Sequence, residues 1–292
     1  CVREQIQIED KGDYVEITAC PQGKIRVTEE DDTILLSANT RHGGPGFHCF
    51  VVDYYRDIKE EIPGEYELID DLEFDLEEDF RKLHSTYEEE LEYIRGILIK
   101  NDLLKEQNYL YEETFFLPMN KKGRILTSVG DIDEKEFKEM SLLELMDCFY
   151  VWNDWDKDAR FFKNAALTLL AKEGVGIYTN MNETTIKHAQ TICDYIELAF
   201  EDDPKLPLPV KNYKFLIEQL GRENKLNGAI QMKEEVIQYR DGEVYHLFES
   251  AKVVAHGACE RSYDPQNRCL CLMAPYVEEA TWKYLIQASL NS

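Results

Sequence analysis

The chain has 292 residues and carries 58 acidic against 33 basic side chains, so its formal net charge is −25. A surface of that sign repels nucleic-acid phosphates and anionic lipid headgroups, because binding either requires Lys and Arg to displace condensed counterions. No stretch approaches the roughly 20 apolar residues of a membrane-spanning helix. Composition therefore argues against nucleic-acid binding and membrane insertion, and it favours a basic protein as partner.

The N-terminal part of the sequence predicts a β-sheet. Apolar and polar residues alternate over 14–18 and 24–28, and the Pro and Gly at 21–23 are typical of a turn between two strands. Residues 33–37 predict a third strand. A Gly-rich loop follows, and the helical spacing of the apolar residues after it predicts a helix that begins near Phe47.

Between residues 60 and 95 the sequence is intensely acidic. A partly alternating pattern over 66–76 predicts a strand that runs into a helix. The helix carries apolar residues on one side and acids on the other, which is typical of an amphipathic element. Those acids are either an ordinary solvated face or an interaction surface. The acids selected for an interaction surface are Glu77, Glu78, Asp79, Glu88, Glu89 and Glu90.

The middle of the sequence predicts helices. Ser141 and Glu144 have the spacing of a capping box, in which the hydroxyl and the carboxylate each accept a backbone N–H. Further helices are expected over about 156–173, 183–201 and 210–221, where apolar residues recur every three or four positions.

The C-terminal part returns to strands. Residues 236–248 predict a hairpin, because their central Asp-Gly suits the positive φ angles of a type I′ turn. Residues 251–256 and 268–273 predict further strands, and 277–290 predict a final amphipathic helix. The expected fold class is therefore α+β, with a β-rich N-terminal part, a helical middle, and a C-terminal part that contains a β-hairpin and is closed by a helix.

A connector with three prolines spans residues 204–209. It indicates a domain boundary, because each Pro biases the residue before it away from helix. We expect an α+β N-terminal domain over 1–203 and a C-terminal domain of one helix plus the β-hairpin over 210–292. The alternative is a single domain in which the connector joins two packed helices.

The Gly-rich loop carries the run His-Gly-Gly-Pro-Gly at 42–46. This run resembles the oxyanion-hole loop of the α/β-hydrolases, including the proline iminopeptidases, and the resemblance implies backbone amides aimed at an oxyanion. The sequence has no Gly-x-Ser-x-Gly nucleophile elbow, so hydrolase activity is not predicted. The loop is either a plain strand-to-helix turn, with Pro45 near the first helical position, or an anion site at the positive end of the helix.

Two histidines flank this loop. An imidazole titrates near neutral pH, so His42 and His48 are candidates for an acid and a base. Asp53 lies five residues beyond His48, off its helix face, and is a poor orienting partner. The commoner arrangement has one histidine packed or capping and the other solvated. The candidate ligand-binding residues are His42, Gly43, Gly44, Gly46 and His48.

A second candidate site, for metal, consists of His256, Cys259, Cys269 and Cys271. One imidazole and three thiolates suit zinc, although their spacing lacks the paired knuckles of a structural zinc site. The alternatives are a disulfide between Cys259 and Cys269 and simple buried thiols, of which buried thiols are favoured. No cofactor is expected, and zinc is the alternative.

The cysteines also bear on the compartment. They are eight in 292 residues, and several lie in apolar runs. That usage is typical of small buried hydrophobes in a reducing environment, so a cytoplasmic location is expected. Because the sequence begins with Cys1, the alternative is an exported or lipid-anchored protein.

Two functions compete on these observations. The first is a non-enzymatic, acidic interaction protein that binds a basic partner, for example an immunity or inhibitor protein docked onto a basic toxin or enzyme. The alternative is a small-molecule or anion-binding protein, or an enzyme, that uses the loop at 42–48. Oligomeric state is not predicted.

Overall fold

A computed structural model describes residues 6–30, 33–100, 124–173 and 182–232, together with short pieces at 263–264 and 269–270. The strand-like stretch at 251–256, the hairpin expected at 236–248 and the closing helix expected at 277–290 lie outside these residues. Of the strand expected at 268–273, only Cys269 and Leu270 are described.

The described strands form antiparallel pairs. They are β1 (Gln7–Asp10), β2 (Val15–Cys20), β3 (Gly23–Glu30), β4 (Thr33–Ala38), β5 (Arg124–Leu126), β6 (Asp131–Asp133), β7 (Tyr263–Asp264) and β8 (Cys269–Leu270). The first four make one sheet in the order β1-β2-β3-β4, β5 pairs with β6, and β7 pairs with β8. Three of the four strands in the first sheet confirm the prediction, and β1 was not predicted.

The described helices follow the first sheet along the chain. They are α1 (Pro45–Glu61), α2 (Phe74–Glu77), α3 (Phe80–Lys100), α4 (Glu134–Glu139), α5 (Leu142–Phe149), α6 (Ala159–Glu173), α7 (Glu183–Asp202) and α8 (Val210–Leu220). An N-terminal antiparallel sheet followed by helices is an α+β fold, so the predicted fold class is confirmed. No helix in the described ranges is long and apolar enough to cross a membrane.

The register of the first sheet places its apolar residues on one face. Ile17 of β2 lies opposite Ile25 of β3, which lies opposite Ala38 of β4. Side chains on a strand alternate between faces, so this row and the next row, two residues along, point the same way. Ile17 and Ile25 are buried, and this face of the sheet therefore meets the hydrophobic core.

Helix α1 lies between two hydrophobic clusters. Its Phe47 and Val51 belong to a cluster with Ile25 of the sheet, Phe162 of α6 and other buried residues. That cluster also takes in residues from α7 and α8. A second cluster gathers the inward residues of α3, α4 and α5 around the opposite side of α1; its members include Cys49, Val52, Leu83, Tyr87, Leu91, Phe137 and Phe149. Burial on both sides fixes α1 and the loop that precedes it.

Two helix starts are capped by side chains, and the first confirms the capping box predicted from sequence. At α5, the Oγ of Ser141 accepts the N–H of Glu144 at 3.3 Å, and the Glu144 carboxylate accepts the N–H of Ser141 at 3.0 Å. At α7, the side-chain oxygen of Asn182 accepts the N–H of Thr185 at 2.9 Å. Each cap satisfies donors that the first helical turn leaves unpaired, which is why these residues fix the helix boundaries.

The strand predicted over 66–76 is wrong. Residues 63–73 contain no regular helix or strand, and a single helical turn, α2, follows them. The physical reason is a sharp bend. The side chain of Asp70 accepts the N–H groups of Leu72 and Asp75, and Glu73 and Glu78 take left-handed φ angles of 58° and 52° on either side of α2. A chain bent in this way does not continue as a strand.

The predicted domain division at 204–209 stays a prediction. Val210 and Tyr213, which follow the connector, pack in the same cluster as Phe162 and Tyr195, which precede it. The second domain as predicted extends to residue 292, and most of it after residue 232 lies outside the described residues.

The four cysteines whose surroundings are described form no disulfide. Cys20, Cys49 and Cys193 are buried and Cys148 is half-buried. Burial, with a smaller contribution from the charge of Asp53, raises the pKa of the Cys49 thiol to about 12. A thiol protonated at neutral pH is a poor nucleophile and metal ligand, so Cys49 acts as a small apolar residue.

Candidate functional site

The Gly-rich loop at 42–48 is bonded to the segment that precedes α6. The carbonyl of Gly43 accepts the N–H of Trp152 at 2.9 Å, and the N–H of Gly46 donates to the carbonyl of Trp152 at 3.0 Å. The N–H of Gly44 donates to the carbonyl of Thr40 at 3.1 Å. The amides of Gly44 and Gly46 are thus satisfied within the protein.

The glycines of this loop allow a close approach of two backbone segments. Gly44 has a φ of +102°, which an L side chain rarely adopts. A Cβ atom at Gly46 would lie 2.1 Å from the carbonyl oxygen of Asp154 and 2.1 Å from Cδ1 of Trp152. Pro45 occupies the start of α1, as the turn interpretation predicted. Backbone packing is therefore a sufficient reason for glycine at both positions.

His48 lies in a chain of buried polar contacts. Its Nδ1 is 2.9 Å from Oγ1 of Thr40, and its Nε2 is 3.1 Å from Oδ1 of Asp70. The hydroxyl of Tyr87 donates to Oγ1 of Thr40 at 3.1 Å. Tyr87, Thr40, His48 and Asp70 therefore form one continuous chain of polar contacts. The N–H direction at Nε2 is off the Asp70 oxygen, so that contact is chiefly electrostatic.

Asp70 is the acid of this stretch that turns inward. Its side chain is 3% exposed, and its two oxygens accept the N–H groups of Leu72 at 2.9 Å and Asp75 at 3.1 Å. Burial by itself would raise the pKa of Asp70, but the two N–H donors and the nearby His48 outweigh it, so that the pKa lies below its ordinary value. Asp70 therefore fixes the bend before α2 and joins it to α1.

The sequence interpretation named both histidines and did not name the carboxylate that His48 contacts. His48 is buried and contacts a carboxylate, whereas His42 is half-buried. The carboxylate is that of Asp70, 22 residues after His48, and Asp53 does not supply it. Asp70 stands in a run of twelve acids among residues 57–79. Nothing local in that run marks one acid as buried.

Replacing Asp70 with asparagine is expected to destabilise the fold by about 2 kcal/mol at neutral pH, since hydrogen bonds to a charged group are lost. The folded pKa of Asp70 is lowered. Its ionised form therefore stabilises the fold above the unfolded pKa, about 3.9, and this contribution is lost as pH falls through the folded value. Urea unfolding of both proteins across the acidic range measures the difference.

The matched control for this prediction is Asp71→Asn. Asp71 is exposed and forms no ion pair with a described residue. We expect it to unfold like the original protein at every pH. A difference between D70N and the original protein that stays constant down to the acid limit would contradict the role assigned to the Asp70 charge.

Five of the six acids selected for an interaction surface have contacts within the described part of the chain. Glu77 pairs with Lys82 at 2.6 Å, and Glu78 pairs with Arg56 at 2.9 Å. Asp79 caps α3 by accepting the N–H of Arg81 at 3.0 Å. Of the other three acids, Glu88 lies 3.4 Å from His84, Glu90 pairs with Arg41, and Glu89 is exposed. These pairs neutralise much of their charge locally.

Most of the acids that form no ion pair with a described residue lie earlier in the chain than the six selected acids. Residues 57–79 contain twelve acids and one basic residue, Lys59. Seven of the acids are exposed and form no ion pair with a described residue: Asp57, Glu60, Glu61, Glu65, Glu67, Asp71 and Glu73. Four large apolar side chains are exposed in the same stretch: Ile62, Tyr66, Ile69 and Leu76. We call residues 57–79 the acidic–apolar surface.

A cluster of charges around the buried Glu197 carboxylate joins α7 to the segment after α8. Glu197 accepts the hydroxyl of Tyr213 at 3.0 Å and pairs with Arg222 at 3.0 Å and Lys225 at 2.7 Å. Arg222 also pairs with Asp194 at 2.7 Å. Burial first, then the Glu197 carboxylate, raises the pKa of Tyr213 to about 12, offset in part by the N–H of Lys225. Every charge of the cluster has a partner, which is the pattern of a structural cluster.

The predicted zinc ligands fall almost wholly outside the described residues. His256, Cys259 and Cys271 are not described, and Cys269 is described only as part of β8. Within the described part of the chain, no three His, Cys, Asp or Glu residues are grouped so as to hold a metal ion. The zinc site stays a prediction.

The candidate residues named from the sequence therefore lie in different parts of the structure and make different kinds of contact. His48, with Thr40 and Asp70, is part of a buried polar chain, the glycines hold a backbone contact, and the unpaired acids face solvent from the end of α1 to the start of α2. The chain matches no protein-family model, no curated protein and no solved structure.

Proposed function

We propose that this chain is a non-enzymatic interaction protein that binds a basic partner through the acidic–apolar surface. The observation that carries the proposal is the combination in residues 57–79 of seven exposed, unpaired acids with four exposed large apolar side chains. Ile69 and Leu76 are 79% and 76% exposed. Scattered single apolar residues are ordinary on a protein surface, but several within one unpaired acidic stretch mark an interaction surface.

The two kinds of side chain have separate roles in such a surface. Unpaired carboxylates attract a cationic partner and speed its encounter, an effect that salt weakens. Apolar side chains supply the contact area from which water is excluded, where most binding energy of an interface resides. The partner expected is therefore a protein surface that presents Lys or Arg around apolar side chains.

Contacts at residues 70–75 hold the acidic–apolar surface to the core. Asp70 contacts His48 of α1, and Arg56 of α1 donates to the carbonyl of Asp75 at 2.6 Å. Phe74 is buried between these contacts. A surface that is ordered before binding loses less conformational entropy on binding. This favours a rigid docking protein, such as an immunity protein or an inhibitor of a basic toxin or enzyme.

Capture of partners from a native lysate tests the proposal. Reversing the charge of Glu61, Glu65 and Glu67 to lysine is expected to abolish retention of a basic protein that the original chain retains, because attraction becomes repulsion. The matched control reverses three exposed acids elsewhere that form no described ion pair, namely Glu201, Glu218 and Glu223. Both triple variants change the net charge by the same amount.

The two triple variants therefore differ in where the charges are reversed and not in net charge. Retention of the same basic protein by the original chain and the control, with its loss from the first triple variant, supports the proposal. Equal loss from both variants would show that only net charge matters. Retention by both would remove residues 61–67 from the binding surface.

The alternative function, ligand binding by the loop at 42–48, stays a prediction with less support. Two of its amides, those of Gly44 and Gly46, donate to carbonyls of Thr40 and Trp152. An anion at the loop needs unpaired N–H groups.

A further inference from the structure

Strand β4 forms an edge of the first sheet, and its sequence carries no charge. Among the described strands it pairs only with β3, so alternate N–H and C=O groups along β4 point away from the sheet. Residues 33–38 read Thr-Ile-Leu-Leu-Ser-Ala. Ile34 is 67% exposed and Leu35 is 46% exposed. Natural edge strands are commonly protected by charge, by Pro or by a bulge, and β4 shows none of these.

The sequence of β4 is chemically symmetric about Leu35. A two-fold axis perpendicular to the sheet relates two copies so that their edge strands run antiparallel. The two sheets then share both faces, so residues that lie opposite one another have their side chains on the same face. With the axis at Leu35, Leu35 lies opposite Leu35 of the second copy. Ile34 then lies opposite Leu36, and Thr33 lies opposite Ser37. Within residues 33–37, each opposed pair joins two apolar or two small hydroxyl side chains.

We propose that β4 is a self-association surface, at which a second copy of this chain pairs antiparallel about Leu35. The paired sheets would form one sheet of eight strands. The distribution of charge favours pairing at the β4 edge over pairing at the β1 edge of the same sheet. The edge formed by β1 carries Glu9 and Asp10, so pairing there would bring two acids from each copy into one contact, whereas residues 33–40 carry no charge at all.

The net charge of −25 determines how this association depends on salt. Two copies repel one another, and β4 provides a contact that brings no acid against another acid. Screening by salt lowers that repulsion, so the association strengthens as salt rises. Binding of a basic partner by the acidic–apolar surface has the opposite salt dependence. The two interactions are therefore distinguishable, and neither depends on the other.

Sedimentation velocity over a concentration series tests the proposal. The chain is expected to shift from monomer to dimer within the micromolar range, and more readily at about 0.5 M than at about 0.05 M salt. A contact along one edge strand buries less than the roughly 1,200 Å² of a standard interface, so a weak dimer is expected. Leu35→Lys is expected to raise the dimer Kd about tenfold or more, because two lysines then lie opposite each other.

The matched control is Ile8→Lys on the other edge of the same sheet. Ile8 is exposed like Leu35, and both variants reduce the net negative charge by the same amount. L35K thus weakens the dimer although it lowers the overall repulsion. Thermal unfolding of both variants confirms that they are folded. A chain that stays monomeric at several hundred micromolar and high salt, or a dimer that I8K weakens as much as L35K does, would overturn the proposal.

Discussion

Replacing Gly46 with alanine is expected to destabilise the fold by about 3 kcal/mol or more, because the added methyl group overpacks a rigid backbone contact. Its Cβ would lie 2.1 Å from the carbonyl oxygen of Asp154 and 2.1 Å from Cδ1 of Trp152. The hydrogen bond from the Gly46 N–H to Trp152, at 3.0 Å, would be disrupted as the segments separate. Denaturant unfolding followed by far-ultraviolet circular dichroism measures the loss.

Gly96→Ala provides the matched control for this prediction. Gly96 lies within α3, and a Cβ there would have no atom within 4 Å. Alanine at an exposed helix position stabilises by about 0.5–1 kcal/mol relative to glycine. The same substitution is thus expected to have opposite signs at the two sites. A G46A protein within about 0.5 kcal/mol of the original would show that the loop at 42–46 adapts to the methyl group.

Replacing Glu197 with alanine is expected to cost about 2–3 kcal/mol, because a buried carboxylate that accepts hydrogen bonds from charged groups is lost. Arg222 loses both of its contacts to the Glu197 carboxylate, at 3.0 and 3.1 Å, but keeps its contact to Asp194 at 2.7 Å, and Tyr213 loses its closer acceptor. The segment that carries Arg222 and Lys225 is thereby held to α7 by fewer contacts. Denaturant unfolding gives the free-energy difference, and hydrogen exchange locates the loosened segment.

Glu201→Ala is the control on the same helix. Glu201 is exposed and forms no ion pair with a described residue, so its replacement is expected to change stability by less than about 0.5 kcal/mol. If E197A and E201A unfold at the same denaturant concentration, the cluster around Glu197 contributes nothing net to stability.

The helices and strands that the sequence predicted correctly are those determined by residues within the element itself. Strands β2, β3 and β4 follow from alternation, and α3 follows from the spacing of Leu83, Tyr87 and Leu91 on one side of the helix. The starts of α5 and α7 follow from side-chain caps within three residues. Each of these signals is complete within a short stretch of sequence.

The elements that were missed depend on distant partners. Strand β1 reads Gln-Ile-Glu-Asp and is exposed throughout, so only its pairing with β2 makes it a strand. The strand wrongly expected over 66–76 had apolar residues at alternating positions, but the Asp70 side chain bends the chain there. A period-two pattern in an exposed segment says nothing about whether a neighbouring strand is present.

The candidate site was predictable only in outline. An acidic interaction surface between residues 60 and 95 follows from composition. Which acids remain unpaired depends on cations such as Arg41, Arg56 and Lys82, whose partners the fold selects. That is why the unpaired acids lie before α2, and most of the selected acids lie in pairs. The contact of His48 with Asp70 is likewise a product of the fold.

Carboxyl footprinting of the chain in complex with its captured partner tests the proposed function most directly. Exposed carboxyl groups are labelled with a carbodiimide and an amine, and mass spectrometry compares the free and bound chain. Labelling of Asp57, Glu61, Glu65 and Glu67 is expected to fall severalfold on binding, because an interface excludes the reagent. Glu201, Glu218 and Glu223 should label equally in both states. Protection of these three, with the acidic–apolar surface fully labelled, would contradict the proposed function.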